Sequence, residues 1–504
     1  MNFLNVYEEI TVPFSERPMM IWFEGDEKKN CNAEGFRAFT DSAAAYLEKV
    51  FSDIPKGHWI GLKSRNHPMW YPVFFALEKI GYPVLLLDEN IDSLALESFC
   101  RQAKLAGIVS EKDESTENII CCKISDILFS SCEKPENICW EYRVAFCTSG
   151  TTGNAKIFVF HADSVIEQSR RVRKSLISQE KMLSEIDVSS CLVIQTLPQR
   201  HCLGFGLTML VLPWGLSVIL PEKEGIFSVA DTCRKHGVFC LCTVPAIWKG
   251  LFRMAQARFG NCGSESMHKL LGEKMLLAVS AGARLNETLW EKAMDSGLTF
   301  LNGWGMTETG FVSIGNISDD KSVDYVGKLV GGHETEILSP DENNFGELAV
   351  NGSIVYQSVL VDGEEISRDR SEFYRTGDIF SLDDGRYYFR GRRKSVLIRE
   401  DGENIYLDEL ESHFSFLENE QFCVFEHNEQ PALVFYSQKD VTEEITDKLR
   451  TVNYSLPVQK RISKFYCSNI PLPMTSKGET ARYYMSSYIS ENSENIREIV
   501  LYRQ

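Results

Sequence analysis

This sequence has fewer basic than acidic residues. Its 504 residues include 53 lysines and arginines against 71 aspartates and glutamates, so the formal net charge is −18. So acidic a chain is repelled by nucleic-acid phosphates and by anionic membrane surfaces. We therefore expect no nucleic-acid partner. A local basic loop can still bind a small anionic ligand, because backbone N–H groups add to its positive potential.

Disulfide and zinc patterns are missing as well. The 15 cysteines are scattered, with no CxxC pair and no cysteine–histidine cluster of zinc spacing. Such a set is typical of reduced thiols in a cytoplasmic protein. The first residues have neither the basic nor the apolar region of a signal peptide. The expected location is therefore the cytoplasm.

Long uncharged runs are also rare. Residues 202–221, CLGFGLTMLVLPWGLSVILP, carry no charge and are about long enough to cross a bilayer. Pro213 and Gly215 interrupt this run, which favours two buried elements joined by a turn. We therefore expect no integral membrane contact.

Apolar segments of strand length alternate with amphipathic segments of helix length along the first half of the chain. This alternation is typical of an α/β protein with a parallel sheet. After about residue 320, short strands separated by turn residues indicate a β-rich region. The predicted strands are 19–23, 58–63, 82–87, 107–110, 192–194, 238–243 and 275–279, and the predicted helices are 36–51, 72–80, 94–106 and 162–177.

One loop carries a phosphate-binding pattern. The stretch Val144–Lys156 reads VAFCTSGTTGNAK, a buried strand end followed by hydroxyls, two glycines and a lysine. The glycines allow several N–H groups to point one way, and the hydroxyls and the lysine add donors and charge. The alternative is a Ser/Thr/Gly surface turn. The candidate ligands are Thr148, Ser149, Gly150, Thr151, Thr152, Gly153 and Lys156.

Five further segments follow this loop in a fixed order. They read LPQRHCLGFG (197–206), SAGARL (280–285), NGWGMTETG (302–310), YRTGD (374–378) and GRRKSVLIREDGENIYLDELE (391–411). Together with the loop, this set resembles the adenylate-forming superfamily of acyl-CoA and aryl-CoA synthetases, adenylation domains and luciferases. The resemblance covers nearly the whole chain.

The resemblance implies a fold and a reaction. The fold is α/β, with doubly wound sheets and a small β-barrel-like subdomain (about 320–392) in a large N-terminal domain (1–392), and a small mobile α+β C-terminal domain (393–504). The reaction joins a carboxylate to AMP with Mg-ATP, releases pyrophosphate, and then passes the acyl group to a thiol. That thiol belongs to coenzyme A or to the phosphopantetheine of an acyl carrier protein.

The resemblance also assigns roles to individual residues. The loop and Lys156 would hold the β- and γ-phosphates, and Glu308, with Thr151, would bind Mg²⁺. Taken singly, Glu308 could instead cap a helix and Asp378 could sit in a turn. The other implied roles are α-phosphate contact by Thr307, adenine packing by Trp304 with Gly303, Gly305, Gly282 and Ala283, ribose binding by Asp378 and Arg392, a hinge at Lys394, and a thiol tunnel at Gly402.

The substrate side is marked by His201, which lies where acyl- and aryl-activating members carry a histidine beside the carboxylate. Members that activate α-amino acids have an aspartate in this region, and residues 197–221 contain none. An ammonium buried without a partner is costly. We therefore predict a small-molecule carboxylate without an α-amino group, a fatty or an aryl acid. The segment 391–404 most resembles that of fatty-acyl ligases.

The sequence departs from the family near its end. The family motif P-x-T-x-x-G-K-x-x-R appears as PMTSKGETAR (473–482), with Glu479 at the lysine position and Lys477 two residues earlier. A glutamate there would repel the carboxylate and the α-phosphate. Either Lys477 acts through a shifted loop, or adenylation proceeds slowly without a lysine, or the protein is a non-catalytic binder of nucleotide or acyl-adenylate. We favour catalysis. Light emission shares the motifs but has nothing specific in its favour.

Overall fold

The computed structural model divides the chain into two compact units. The large unit comprises Met1–Leu285, Leu289–Thr335 and Val350–Tyr374, and the small unit comprises Asn286–Thr288, Glu336–Ala349 and Arg375–Gln504. A large N-terminal and a small C-terminal part confirm the expected organisation, while the boundary at 392/393 stays a prediction. The structure describes residues 1–91, 93–112, 114, 119–127, 129, 133–148, 156–398, 404–417, 421–428, 430–474 and 480–501.

Helices and strands alternate through the large unit, as the sequence pattern predicts. The bounds below cover the elements of both units. The helices are α1 Phe3–Thr11, α2 Ala33–Val50, α3 Trp70–Lys79, α4 Ser93–Ala103, α5 Ala162–Gln179, α6 Lys181–Glu185, α7 Cys202–Trp214, α8 Ile226–His236, α9 Pro245–Phe259, α10 Ser264–Leu271, α11 Glu287–Asp295, α12 Leu407–Ser412, α13 Glu443–Ser455 and α14 Met485–Glu491. The strands are β1 Met20–Glu24, β2 Glu27–Cys31, β3 Ile60–Lys63, β4 Val84–Leu87, β5 Gly107–Ser110, β6 Ile120–Lys123, β7 Arg143–Cys147, β8 Ile157–His161, β9 Leu192–Gln195, β10 Ser217–Ile219, β11 Cys240–Thr243, β12 Leu277–Ser280, β13 Thr299–Met306, β14 Gly310–Asn316, β15 Tyr325–Leu329, β16 His333–Leu338, β17 Gly346–Gly352, β18 Ser358–Val361, β19 Glu364–Ser367, β20 Tyr374–Asp383, β21 Arg386–Arg392, β22 Val396–Ile398, β23 Asn404–Tyr406, β24 Phe422–His427, β25 Gln430–Tyr436, β26 Lys464–Ser468 and β27 Ile496–Ile499.

Two mainly parallel sheets form the large unit. In one sheet, β1, β10, β9, β11, β12 and β13 run parallel in that order. Antiparallel β2 lies at the edge beside β1, and antiparallel β14 and β15 follow β13. In the other sheet, β6, β5, β3, β4 and β7 run parallel, and β8, β18 and β19 continue antiparallel. The predicted α/β class is confirmed.

One large apolar core joins helices and strands of both sheets, and a separate cluster of the same unit includes Trp59, Leu85 and Leu105. Phe205 of α7 lies at the centre of the large core, with its ring centroid 5.3 Å from that of Phe74 in α3 and 5.5 Å from that of Phe146 in β7. Both aromatic contacts are edge-to-face, the arrangement that ring quadrupoles favour. The core therefore fixes the start of α7 beside the end of β7, where the predicted phosphate loop begins.

The uncharged run 202–221 forms two buried elements joined by a turn, as predicted. Helix α7 ends at Trp214, and Gly215 follows in the left-handed region at φ +95°, which glycine adopts without strain. Strand β10 then enters the sheet between β1 and β9. Within the described ranges, we find no helix long and apolar enough to cross a membrane.

The sequence pattern missed strand β2. Its residues, Glu27 to Cys31, are mostly charged and lack apolar alternation. They form a strand because β2 pairs along its length with β1 at the sheet edge. Charged side chains on an edge strand discourage pairing with other chains.

The small unit contains its own sheet and two apolar clusters. Strands β24, β25, β26 and β27 lie side by side, with a parallel pair, β25 and β26, at the centre. The inner clusters contain Val424, Leu433 and Phe465 on one side and Phe425, Val434 and Tyr466 on the other, which follows the alternation of strand side chains. In the described part of the chain, no disulfide bond joins two cysteines.

Arg482 holds two elements of the small unit together. Its guanidinium donates to Asp408 and, at 2.7 Å, to Glu411, both in α12. Asp408 Oδ2 also accepts the Arg392 backbone N–H at 3.1 Å. Burial alone would lower the pKa of Arg482, but the two carboxylates hold it well above its usual value. Arg482 therefore stays charged and links α12 to the end of the family motif, of which it is the last residue.

We expect Arg482→Met to lower the free energy of unfolding of the small unit by about 2 kcal/mol, between the costs of exposed and buried pairs, because Asp408 and Glu411 lose their half-buried counter-charge. Urea unfolding measures this loss. Arg497→Met is the matched control, because the Arg497–Asp440 pair lies in the same unit but is exposed, and its loss should cost below about 1 kcal/mol. Equal losses for the two variants would contradict the assignment.

Candidate active site

Strands β7 and β8 close the base of the predicted phosphate loop. Thr148 N donates to Lys156 O at 3.0 Å, which extends the β7–β8 ladder by one pair. The Lys156 side chain is exposed at the start of β8. The other predicted phosphate ligands lie outside the described residues: Ser149, Gly150, Thr151, Thr152 and Gly153.

Thr307 and Glu308 lie in the tight turn between β13 and β14. Gly305 makes this turn possible, because a Cβ at its position would lie 2.2 Å from Gly310 O. A register shift between Trp304 and Gly305 bends the strand just before the turn. No helix begins at Glu308, so the helix-cap alternative is wrong.

We expect Gly305→Ala to lower protein stability by at least about 2 kcal/mol, because the new methyl group would force the Thr307–Glu308 turn away from Gly310. Thermal unfolding measures the change. Gly206→Ala is the matched control: Gly206 lies in helix α7 near the same turn, and its nearest neighbour would be 3.8 Å from a Cβ. A Gly305→Ala protein as stable as the control variant would contradict the close approach of the two strands.

His201 occupies the N-cap position of α7. Its Nδ1 accepts the Leu203 backbone N–H at 3.4 Å. In the neutral ring, the nitrogen that accepts carries no proton, so the proton lies on Nε2. The helix start therefore fixes a tautomer in which Nε2–H can donate to an anion.

Cys202 connects His201 to Thr307. Its Sγ lies 3.6 Å from His201 Nδ1 and 3.4 Å from Thr307 Oγ1. The residues predicted to contact the substrate carboxylate and the α-phosphate thus lie within reach of one sulfur atom.

Glu308 is held by two tyrosines that sequence reasoning had not assigned. The Tyr374 hydroxyl donates to Glu308 Oε1 at 3.2 Å, and Tyr356 N donates to Glu308 O at 3.0 Å. The Tyr356 ring lies 4.8 Å from the ring of Phe158 in β8. Glu308 is therefore tied to the strand that follows Lys156.

The predicted adenine residues lie on neighbouring elements of the large unit. Gly282 and Ala283 follow β12, and a Cβ on Gly282 would lie 3.5 Å from Leu203 Cδ2 at the start of α7. Gly303 and Trp304 lie on β13, which pairs with β12, and Trp304 is half-buried. This arrangement brings both motifs close to His201 and Thr307.

The predicted ribose ligands are paired in the small unit. Asp378 on β20 and Arg392 on β21 face each other across the antiparallel ladder, with Arg392 Nε 3.5 Å from Asp378 Oδ1. Asp378 is only 5% exposed and lies in a strand, so the turn alternative is wrong. A carboxylate with little exposure and a nearby cation suits the binding of vicinal hydroxyls.

Several predicted residues of the small unit are beyond what the structure describes. Lys394 lies in a short 3₁₀ helix, Arg393–Ser395, with its side chain outside the described set. Gly402, Lys477 and Glu479 lie outside the described residues. The chain on either side of residues 475–479 is ordered by a bridge between Met474 and Thr480.

The magnesium prediction concerns Glu308, which lies among the described residues. Among them, no group of three or more histidine, cysteine, aspartate or glutamate side chains has metal-binding geometry. Mg²⁺ often binds through one or two carboxylates plus substrate phosphates. Glu308, half-buried beside Thr307 and oriented by Tyr374, fits such a role.

Three functional contacts were missed by sequence reasoning. Cys202 lies inside the segment 197–206, and Tyr374 lies inside YRTGD. The motifs therefore pointed to both segments, but they assigned no role to either residue. Tyr356 had no sequence signal. Its contact with Glu308 joins residues 48 positions apart along the chain, as their numbers show.

Comparison with known proteins agrees with the motifs and the fold. The family model described as AMP-binding enzyme matches residues 12–360. The chain is 26% identical over 353 residues to a 2-succinylbenzoate–CoA ligase of Staphylococcus epidermidis, covering 68% of each chain. It is 27% identical over 303 residues to a mitochondrial medium-chain acyl-CoA ligase of Macaca fascicularis, covering 57% of this chain and 45% of that protein.

A solved structure shares the fold over almost the whole length. O-succinylbenzoate coenzyme A synthetase from Bacillus subtilis, in complex with ATP and magnesium ion, superposes with a TM-score of 0.76 at 19% identity, covering 96% of this chain and 98% of that chain. The family match spans well over half of the sequence. The chain therefore belongs to the family of AMP-binding enzymes, the adenylate-forming enzymes that its motifs resemble.

Proposed function

We propose that the protein converts a carboxylic acid without an α-amino group to its acyl-adenylate and then transfers the acyl group to coenzyme A. The observation that carries this proposal is the cluster His201–Cys202–Thr307, with Glu308 next in the chain. It places a donor for a carboxylate beside a donor for a phosphate, which is the pair that adenylation requires.

Each residue of the cluster has a role that follows from its chemistry. His201 Nε2–H donates to the substrate carboxylate and orients one oxygen toward the α-phosphorus. As that oxygen forms its bond to phosphorus, the bond to pyrophosphate breaks and negative charge grows on the phosphate oxygens. The Thr307 hydroxyl donates to an α-phosphate oxygen and stabilises this charge.

Other residues hold the nucleotide. Thr148 and Lys156, with the loop between them, bind the β- and γ-phosphates, while Asp378 and Arg392 bind the ribose. Glu308 would hold Mg²⁺, which neutralises phosphate charge when bound. Trp304 packs on the adenine ring.

The acid is apolar or aromatic next to its carboxylate. Leu203 and Val244 face Gly282 close to His201, and both side chains are apolar. The named relatives act on 2-succinylbenzoate and on medium-chain acyl groups, so these two acids are the first candidates. We place 2-succinylbenzoate first, because several of the similar ligases are named for it.

Pyrophosphate release from Mg-ATP, measured without a thiol acceptor, tests the proposal. The acids are 2-succinylbenzoate, fatty acids of several lengths, benzoate-type acids, alanine and phenylalanine. We expect release with one aryl or acyl class and none above background with the amino acids. Release that depends on an amino acid would contradict the proposed class of acid, which rests on the lack of an aspartate in residues 197–221.

The same reaction then identifies the acceptor. Coenzyme A should consume the adenylate and give a thioester and AMP, because the similar ligases carry this acceptor in their names. Transfer to a phosphopantetheine-loaded carrier protein alone would overturn the coenzyme A assignment. No release with any acid from a protein that still binds ATP would favour the non-catalytic binder.

A further inference from the structure

Cys202 has contacts that the roles proposed above leave unused. It lies at the first position of helix α7, half-buried between the His201 ring and the Thr307 hydroxyl. The two partners lie at the N-cap of α7 and in the β13–β14 turn, and Cys202 itself is 105 positions from Thr307 in sequence. A side chain that bridges both donors of a reaction centre can orient them.

The proton positions follow from the donors available. The Leu203 N–H already donates to His201 Nδ1 at 3.4 Å. The Cys202 sulfur lies 3.6 Å from the same nitrogen. The shorter sulfur contact is to Thr307 Oγ1, at 3.4 Å. If the thiol donates to Oγ1, the Thr307 hydroxyl keeps its own proton for an external acceptor. If the hydroxyl donates to sulfur instead, it has none left for the α-phosphate.

We propose that Cys202 is a positioning residue whose S–H donates to Thr307 Oγ1 and so directs the Thr307 hydroxyl proton at the α-phosphate of the nucleotide. The inference rests on the proposed role of Thr307. Cys202 acts through Thr307 and does not touch the reacting atoms. Serine can take over this donation, whereas alanine and valine cannot.

AMP binding measures the effect without any turnover, because AMP carries the phosphate that Thr307 contacts. We expect Cys202→Ala to weaken AMP binding on the order of tenfold, the usual scale for one hydrogen bond to a charged group. Cys202→Ser should stay within about threefold of the wild-type affinity. Titration calorimetry with the full chain and AMP gives both values.

A double-mutant cycle separates positioning from a general structural effect. Thr307→Val should weaken AMP binding at least as much as Cys202→Ala, and the variant carrying both changes should bind no more weakly than Thr307→Val alone. Cys191→Ala is the matched control, because that buried thiol donates to Asp187 O at 3.4 Å outside the cluster. The control should bind AMP like the wild type.

Three results would overturn the inference: wild-type affinity in Cys202→Ala, equal losses in the serine and alanine variants, or additive losses in the double variant. If Cys202→Ala does not fold, Cys202→Val replaces it, because it keeps the volume and lacks the donor. A chain that binds AMP but releases no pyrophosphate would refute the proposed function, and the double-mutant cycle on AMP binding would still test the role of Cys202. A chain that does not bind AMP would refute both.

Discussion

Glu308→Gln should lower the rate of pyrophosphate release at least about a hundredfold at low millimolar Mg²⁺, the loss expected when a charged group that stabilises the transition state is removed. Glutamine keeps the shape of the side chain, and its amide oxygen can still accept the Tyr374 hydroxyl that now donates to Oε1 at 3.2 Å. What it loses is the charge that a hard cation requires. The rate should therefore recover in part as Mg²⁺ is raised.

Two variants separate the charge from the local contacts. Tyr374→Phe removes only the hydroxyl donor to Glu308, and its rate should fall about fivefold, as expected for one ordinary hydrogen bond. Glu334→Gln neutralises an exposed carboxylate on β16 and should leave the rate unchanged. A wild-type rate and Mg²⁺ dependence in Glu308→Gln would contradict the assignment of Glu308 to the metal.

Lys477→Ala should reduce adenylation by roughly two orders of magnitude. Lys477 is the cation nearest in sequence to the position where the motif places a lysine and this chain has Glu479. Removing a cation that contacts the carboxylate and the α-phosphate costs several kcal/mol of transition-state stabilisation. Pyrophosphate release with the preferred acid measures the effect.

The thiol-transfer step provides the internal control for this variant. Transfer from preformed adenylate to coenzyme A should keep its wild-type rate in Lys477→Ala, because the lysine is assigned to adenylation alone. Lys439→Ala changes an exposed lysine of the same unit and should leave both steps unchanged. Glu479→Gln should raise adenylation a few fold by removing repulsion. A Lys477→Ala protein with the wild-type adenylation rate would refute the proposal that Lys477 takes the role of the family's lysine.

The parts of the fold that were predictable from sequence are those with strong periodic patterns. The run Val84–Leu87 is continuously apolar and forms a fully buried parallel strand. The interruption at Pro213 and Gly215 likewise marks the end of α7. Edge strand β2 was not predictable, because its pairing with β1 and not its own composition makes it a strand.

The candidate site shows the same division. Glu308 and Asp378 were predicted from ordered motifs, but their surroundings were not, because the contact of Tyr356 with Glu308 joins segments that are distant in sequence. The link from Cys202 to Thr307 likewise depends on how α7 packs against the β13–β14 turn. Contacts between distant segments are set by the tertiary fold, which no local pattern records.

The central claim is that the carboxylate attacks the α-phosphorus of ATP. The most direct test uses an acid whose carboxylate is labelled with heavy oxygen, full turnover with Mg-ATP and coenzyme A, and mass spectrometry of the AMP formed. The account predicts one labelled oxygen in each AMP, because the bridging oxygen of the adenylate leaves with the phosphate. Unlabelled AMP, or formation of ADP and phosphate in its place, would contradict it.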